Sequence, residues 1–229
     1  YGRFVFGTNL STMLYKTIDK FMLGGLLSTT AVGMYELAIR ITNLIDVPSF
    51  SIAAVVFPQS ARRSVGGNTE GLKELYEKSV GAILAIVLPF ILFVLLFPKI
   101  IVLLIAGEKY LDSIPLLRIT ILYGLFLPYA IQFGTVLDSM GKPKINFYLT
   151  LFGTILNIGF NYFFIKLFGV AGAAYGTLCT YCITFLILQF VLHRMLNVNM
   201  LNPFRYIFGF YRQAYDIARA KISGVKALL

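Results

Sequence analysis

Charged residues are scarce in this chain: they make up 13% of its 229 residues, while hydrophobic residues make up 58%. A typical soluble domain is about 25% charged and about half apolar, so a water-soluble fold of this size could not hide so much apolar surface. The apolar residues fall in blocks of about 20, which is the length of a helix that crosses a hydrocarbon core of ~30 Å. We therefore predict an all-α fold, a polytopic helical bundle in a membrane.

The residues on which most enzymes and metal sites depend are equally few. His193 is the only histidine, and the two cysteines, Cys179 and Cys182, lie in the apolar run GTLCTYCITFLILQF. A zinc site would need more ligands, and no βαβ pattern surrounds the CxxC pair. The GxSxG, HExxH and P-loop signatures are missing. We expect no enzymatic activity, no metal and no cofactor.

The net charge of +10 does not indicate nucleic-acid binding, because no basic, solvated module is long enough to carry it. Sixteen of the twenty Lys and Arg residues lie instead at the ends of the apolar blocks, thirteen at one set of ends and three at the other. Such a bias sets the orientation of a membrane protein. We therefore predict a multi-pass protein with both ends of the chain in the cytoplasm, which requires an even number of spans.

Six spans are predicted, at 4–27, 31–57, 80–97, 114–137, 145–168 and 171–192. Pro48 should kink the second span, and a short surface helix should run from Asn68 or Thr69 to Lys78. Residues 1–194 then form a six-helix lobe. Residues 195–229 form a cytoplasmic, interfacial amphipathic tail, and four of its cations recur every seven residues as a basic stripe facing anionic lipid: Arg205, Arg212, Arg219 and Lys226. The alternative is that the tail packs on the other half of the protein.

The first two spans concentrate ionisable residues, which are costly inside a bilayer and usually face a cavity or one another. At ~1.5 Å per residue, Asp19 and Lys20 lie at about the same depth as Arg40. We expect Asp19–Arg40 as the first ion pair and Lys20–Glu36 as the second. Two interpretations stay open: these groups line a water-filled cavity that attracts an anionic substrate, or they pair off and fix the helix packing.

Amide side chains inside the spans can bond across helices or to a sugar hydroxyl. Asn157 and Asn161 are four residues apart and therefore share a helix face. Together with the ionisable groups they give a candidate cavity for substrate and ions: Lys16, Asp19, Lys20, Glu36, Arg40, Asn43, Asp46, Asn157 and Asn161. Farther along, Gly172 and Gly176 form a face of small residues that lets two helices approach closely.

Five stretches of the chain together resemble a known family. They are IDKFMLGGLLSTTAVGMYELAIRITNLIDVP, FPQSAR, AGEKYLDSIPLLRI, LDSMGKPK and LNIGFNYFFIKLFGVAGAAYGT. Their order and spacing are similar to those of the oligosaccharide flippases of the multidrug/oligosaccharidyl-lipid/polysaccharide exporter superfamily, over nearly the whole chain. The resemblance implies a transporter of two six-helix lobes around a central cavity, with this chain as the C-terminal lobe. Because the sequence begins at Tyr1, we expect an N-terminal six-helix lobe outside it.

The resemblance also implies a function. Such proteins carry an undecaprenyl-diphosphate-linked oligosaccharide across the bacterial cytoplasmic (inner) membrane by alternating access coupled to an ion gradient, for O-antigen, lipopolysaccharide or other polysaccharide biosynthesis. The expected partners are the lipid-linked oligosaccharide, membrane lipid and a polysaccharide polymerase, with no nucleic acid. The charged cavity positions of the family correspond here to the Lys16–Lys20 and Glu36–Asp46 groups.

Three alternatives stay open. Two are transporters of the same superfamily: a multidrug or toxin exporter, and a lipid II flippase of peptidoglycan synthesis. The third is a membrane glycosyltransferase or polymerase that acts on the same lipid carrier. Such an enzyme would need catalytic residues in a large outward loop, and the longest outward segment, around Lys99 to Asp112, is short.

Overall fold

The chain is helical throughout the part that the structure, a computed structural model, describes: the backbone of residues 2–226 and the side chains of residues 2–212, 215 and 216. The helices are α1 (Gly2–Leu26), α2 (Thr29–Thr42), α3 (Asp46–Val65), α4 (Thr69–Leu96), α5 (Pro98–Ala106), α6 (Ile114–Tyr123), α7 (Leu127–Ser139), α8 (Pro143–Phe168), α9 (Val170–Leu196) and α10 (Asn202–Lys226). Residues 2–226 contain no strand. The predicted all-α fold is confirmed.

Within residues 2–226, five segments are long and apolar enough to cross a membrane, against six predicted. They are Thr29–Val65, Thr69–Leu96, Glu108–Ser139, Pro143–Phe168 and Val170–Leu196. Helix α1 is the sixth predicted span and has 25 residues, enough for ~37 Å at the usual helical rise. Every 18-residue window of α1 holds at least three ionisable residues, so it falls outside the composition of an apolar span: Arg3, Lys16, Asp19 and Lys20. It packs along α8 and α2, which receive its polar face.

Two predicted spans are each broken into two helices near a proline. A turn of 3-10 helix at Asn43–Ile45 separates α2 from α3, and Pro48 is the third residue of α3. Helix α6 ends at Tyr123, and α7 begins with Pro128 in its first turn. Proline has no backbone N–H to donate one turn back, and it is tolerated in the first turn of a helix, where that donor is not needed. The prolines therefore lie just after helix breaks.

Helix α4 is continuous from the predicted surface segment into the membrane, so the prediction of a separate surface helix is wrong. The side chain of Asn68 caps its start by accepting a bond of 2.7 Å from the backbone N–H of Gly71. The apolar face of its first turns is buried in the core, where Leu72 and Tyr76 pack in one cluster with Phe133. Because this face continues into the bundle, the helix has no reason to end at Lys78.

The tail is attached to the lobe through α4. The Glu77 carboxylate on α4 accepts a bond of 3.0 Å from the side-chain amide of Asn202, at the start of α10. Two turns farther on, the hydroxyl of Tyr211 donates a bond of 2.6 Å to the carbonyl of Ala85. The contacts advance together along both helices, so the first turns of α10 run beside α4 in the same direction.

Two of the four residues of the predicted basic stripe belong to the described side chains. Arg205 and Arg212 are exposed, while the side chains of Arg219, Lys221 and Lys226 lie outside the described residues. The division of the chain at residue 194, with an interfacial tail beyond it, stays a prediction.

Helices α8 and α9 form a tight hairpin that depends on glycine. Gly169 makes the turn with a φ of 59°, a left-handed conformation that residues with side chains adopt at a cost. Gly172 faces the backbone of α8, and a Cβ atom there would overlap the carbonyl group of Phe164. The close approach that the small residues predicted is therefore present between these two helices.

We expect Gly172→Ala to lower the free energy of unfolding by about 1–3 kcal/mol, the usual cost of forcing an extra methyl group into a packed contact. Gly159→Ala is the matched control, because that glycine lies on α8 with open space around it, and the change should be neutral or slightly stabilising. Thermal melting of the purified protein in detergent measures both. Equal melting temperatures for the two variants would contradict the close contact.

Candidate functional site

The ionisable residues of the first two spans form ion pairs between helices. Lys16 Nζ on α1 lies 2.7 Å from Asp46 Oδ2 at the start of α3, and Lys20 Nζ lies 2.5 Å from Glu36 Oε2 on α2. Arg40 Nε lies 3.1 Å from Glu36 Oε1, one turn away on the same helix. The predicted Lys20–Glu36 pair is confirmed.

Asp19 has other partners, and the predicted Asp19–Arg40 pair is wrong. The carboxylate is only 5% exposed and accepts bonds from the hydroxyl of Tyr35 (2.6 Å) on α2 and from that of Thr177 (3.0 Å) on α9. The side-chain amide of Asn161 on α8 donates to its other oxygen. Arg40 lies five residues after Tyr35, about 140° away around the helix, and its side chain is 74% exposed. Arg40 is therefore about 7.5 Å farther along α2 than Tyr35, the partner of Asp19, and lies on a different face of the helix.

The two candidate asparagines extend this buried cluster, which we call the Asp19 cluster: Asp19, Tyr35, Asn157, Asn161 and Thr177. The Asn157 amide donates a bond of 3.1 Å to Thr177, and the Asn161 amide donates a bond of 3.0 Å to the Asn157 oxygen. Asn161 Oδ1 is buried and has no hydrogen-bond partner among the described residues. The cluster is a set of oxygen atoms around one carboxylate, and such a set can hold a proton or a small hard cation.

A cavity of about 400 Å³ lies beside these groups, between α1, α3, α7, α8 and α9. Of the nine candidate residues, Lys16 and Asp46 line it. Asn43 is exposed in the 3-10 turn after α2. The remaining six do not line the cavity: Asp19, Lys20, Glu36, Arg40, Asn157 and Asn161.

Most of the polar wall of the cavity comes from residues that were not among the nine candidates. They are Thr8, Asn9, Thr12, Thr135, Asp138, Asn146, Thr150 and Thr184. The signal that could have found them is spacing: Thr8 and Thr12 on α1 are four residues apart, as are Asn146 and Thr150 on α8, so each pair shares a helix face. A threonine costs little free energy in a membrane helix and is not ionisable, so a search for ionisable groups does not find it.

The one cation on the described part of the cavity wall is paired. Lys16 is the only cation among the described lining residues, and its ammonium group is paired with Asp46. At the other end, the side-chain amide of Asn146 donates to both oxygens of Asp138, at 3.1 Å each. No described lining residue therefore presents an unpaired positive charge to the cavity.

Residues 5–163 match the MatE family. The chain belongs to the MatE family. Since the match extends over most of the chain, from α1 into α8, it includes the Lys16–Asp46 pair and all but Tyr181, Thr184 and Leu188 of the residues that line the cavity.

Alignments with two relatives show that this chain spans only part of their length. An uncharacterized membrane protein of Methanocaldococcus jannaschii is 28% identical over 203 residues, covering 88% of this chain and 40% of the relative. A Haloferax volcanii protein named "Probable low-salt glycan biosynthesis flippase Agl15" is 22% identical over 204 residues, covering 89% of this chain and 41% of the relative. The chain thus spans less than half the length of these relatives.

Solved structures of MATE proteins have the same fold. A crystal structure of MATE in the straight conformation superposes with a TM-score of 0.71 at 20% identity, covering 84% of this chain and 43% of the other. An outward-facing multidrug resistance MATE family transporter of the MOP superfamily gives 0.70 at 21% identity, covering 82% and 43%. The described helices therefore form one lobe of a two-lobe transporter fold, and the neighbours of this chain are membrane transporters rather than enzymes.

The Asp19 cluster generates a prediction about stability. Tyr35→Phe removes one donor from a buried carboxylate and should cost about 1–3 kcal/mol of unfolding free energy. Tyr148→Phe removes the same hydroxyl from a ring that is 53% exposed and should cost much less. Unfolding of both variants in detergent makes the comparison. A larger loss for Tyr148→Phe would show that the Tyr35 bond contributes little.

Proposed function

We propose that this protein carries a lipid-linked oligosaccharide across the cytoplasmic membrane during synthesis of O-antigen or another polysaccharide. The observation that carries the proposal is a cavity between five helices of a membrane lobe, with polar side chains among its lining residues. Polar side chains inside a bilayer are costly unless they bond one another or face a polar solute, and a transported glycan is such a solute. The name of the Haloferax volcanii relative, a glycan biosynthesis flippase, supports the same class of substrate.

Alternating access is the proposed mechanism. This lobe rocks against a second lobe, so that the cavity opens first to the cytoplasm, where both ends of the chain lie, and then to the other side. The lipid part of the substrate, undecaprenyl diphosphate in this proposal, stays in contact with the bilayer. A polysaccharide polymerase then uses the sugar on the outer face.

The Asp19 cluster is the proposed coupling element. Its bonds join α1 to α2, α8 and α9, so a proton or cation that binds the carboxylate changes the contacts of four helices at once. Such a change gives the two states of the lobe different affinities for the ion, which is what coupling to an ion gradient requires.

Multidrug export is the second candidate. The observation in its favour is the likeness to solved MATE transporters, one of which is a multidrug resistance protein. At 21% identity that likeness shows the fold, and several substrates can share a fold. Loss of resistance to cationic drugs in a deletion strain, with normal glycan export, would favour this candidate.

The test is leaflet labelling of the lipid-linked glycan in a deletion strain. We expect the sugar to stay on the cytoplasmic side and the wild-type protein to restore its outward labelling. Thr12→Trp fills the cavity and should reduce that labelling by about tenfold, equivalent to ~1.4 kcal/mol in the barrier.

The matched control is Leu186→Trp, on the exposed side of α9 and outside the cavity lining, which should transport normally. Unchanged outward labelling in the deletion strain would reject the flippase function. Equal loss in both variants would reject the cavity as the transport path.

A further inference from the structure

We propose that the cavity of this lobe binds the uncharged sugar part of the substrate through a wall of hydrogen-bond acceptors, and that the diphosphate stays outside it. The inference rests on the proposed function and specifies which part of the substrate the lobe recognises. It follows from which hydrogen-bond donors and acceptors of the cavity wall are already bonded within the protein.

The threonine hydroxyls on the wall use their protons within their own helices. Thr8, Thr12, Thr135 and Thr184 each donate to the carbonyl four residues earlier, at 3.0, 2.9, 2.8 and 2.7 Å. A hydroxyl has one proton and two acceptor lone pairs. With the proton directed at the helix backbone, each of these threonines offers the cavity an acceptor.

The stronger donors of the wall are also engaged. The Lys16 ammonium lies against Asp46, and the Asn146 amide donates to Asp138. The other donors on the wall, the Asn9 amide and two phenol groups, carry no charge. The cavity therefore offers many neutral acceptors and no unpaired cation among its described lining residues.

A diphosphate does not fit this wall. It is negatively charged and offers acceptors only, so inside the cavity it would lose water and find few donors in return, and an unsatisfied buried charge is costly. A hydrophobic cation such as tetraphenylphosphonium fits poorly for another reason: it has no hydrogen-bond donor for the acceptors of the wall, and Lys16 already neutralises the carboxylate of Asp46.

Sugar hydroxyls match the wall, because each can donate to a threonine oxygen. The same cavity has apolar and aromatic lining, including Phe50, Phe57 and Tyr181, which can pack against the C–H faces of a sugar ring. Its volume of about 400 Å³ is at the small end of the usual range for ligand pockets. It therefore has room for a small part of the substrate rather than for the whole lipid-linked chain.

The absence of tryptophan from the sequence gives a direct test. Phe50→Trp places a single reporter on the cavity wall of the protein in nanodiscs. The probes are a panel of free neutral sugars (glucose, galactose, mannose and N-acetylglucosamine), inorganic pyrophosphate and tetraphenylphosphonium. We expect a saturable change in emission with at least one sugar, and none with pyrophosphate or tetraphenylphosphonium.

Loss of the acceptors should weaken that response. In the reporter background, Thr12→Val with Thr135→Val should raise the sugar concentration at half-saturation by about tenfold, since two hydrogen bonds are lost. Thr17→Val is the matched control: Thr17 makes the same bond to the carbonyl four residues earlier, at 2.7 Å, on the same helix but outside the cavity lining. The sugar concentration at half-saturation should not change in this variant. If the double variant does not fold, Thr135→Val alone makes the same test, and it should raise the sugar concentration at half-saturation by a smaller factor.

Saturable binding of pyrophosphate or tetraphenylphosphonium, or no response to any sugar, would overturn the inference. So would an equal effect of Thr17→Val. Leaflet labelling separates this failure from failure of the proposed function. If outward labelling of the glycan depends on the protein while the sugars give no response, only the inference fails. If outward labelling does not depend on the protein, the proposed function fails whatever the sugars do.

Discussion

The carboxylate of Asp19 is the point at which the lobe is held together. A buried ionised group must receive hydrogen bonds to replace those it had with water, and the loss of any one is costly. Here the bonds come from three different helices, through Tyr35, Asn161 and Thr177. Meeting this one requirement fixes the positions of α2, α8 and α9 around α1, and it explains how a helix too polar to count as an apolar span is kept within the bundle.

The two lysines of α1 are neutralised next to this point, and this removes the one cation among the described lining residues from use by an anionic ligand. Lys20 is paired with Glu36, and Lys16 with Asp46, so the cations hold helices together and are not available to attract an anion. The rest of the described polar wall consists of the Asp138 carboxylate, bonded by the Asn146 amide, and of neutral threonine, asparagine and tyrosine groups. The proposed sugar binding therefore depends on hydrogen-bond geometry at this wall.

The sequence was sufficient for the parts of the fold that depend on composition. Long apolar blocks indicated the spans, and small residues such as Gly172 indicated a close helix pair, because both signals are local. Counting residues along each helix also gave an estimate of depth in the membrane, and this estimate correctly predicted the Lys20–Glu36 pair. It failed for Asp19 and Arg40, because counting residues gives depth only to within about a turn and does not give rotation about the helix axis, which depends on how whole helices pack. Most residues of the cavity wall were not predicted, because a threonine in a membrane helix can donate its hydroxyl proton to a carbonyl of the same helix. Its burial then costs little free energy, so the sequence gives no reason to expect a polar partner.

The most direct test of this account is the water accessibility of cysteines placed at single positions, after the free thiols Cys179 and Cys182 are replaced by alanine. If the cavity is open to water, a polar maleimide should label Thr12→Cys on the cavity wall rapidly, and it should not label Thr177→Cys in the Asp19 cluster or Phe163→Cys on the exposed apolar face of α8. Labelling of Thr12→Cys no faster than that of Phe163→Cys would contradict this account, because the cavity would then not be a path open to water.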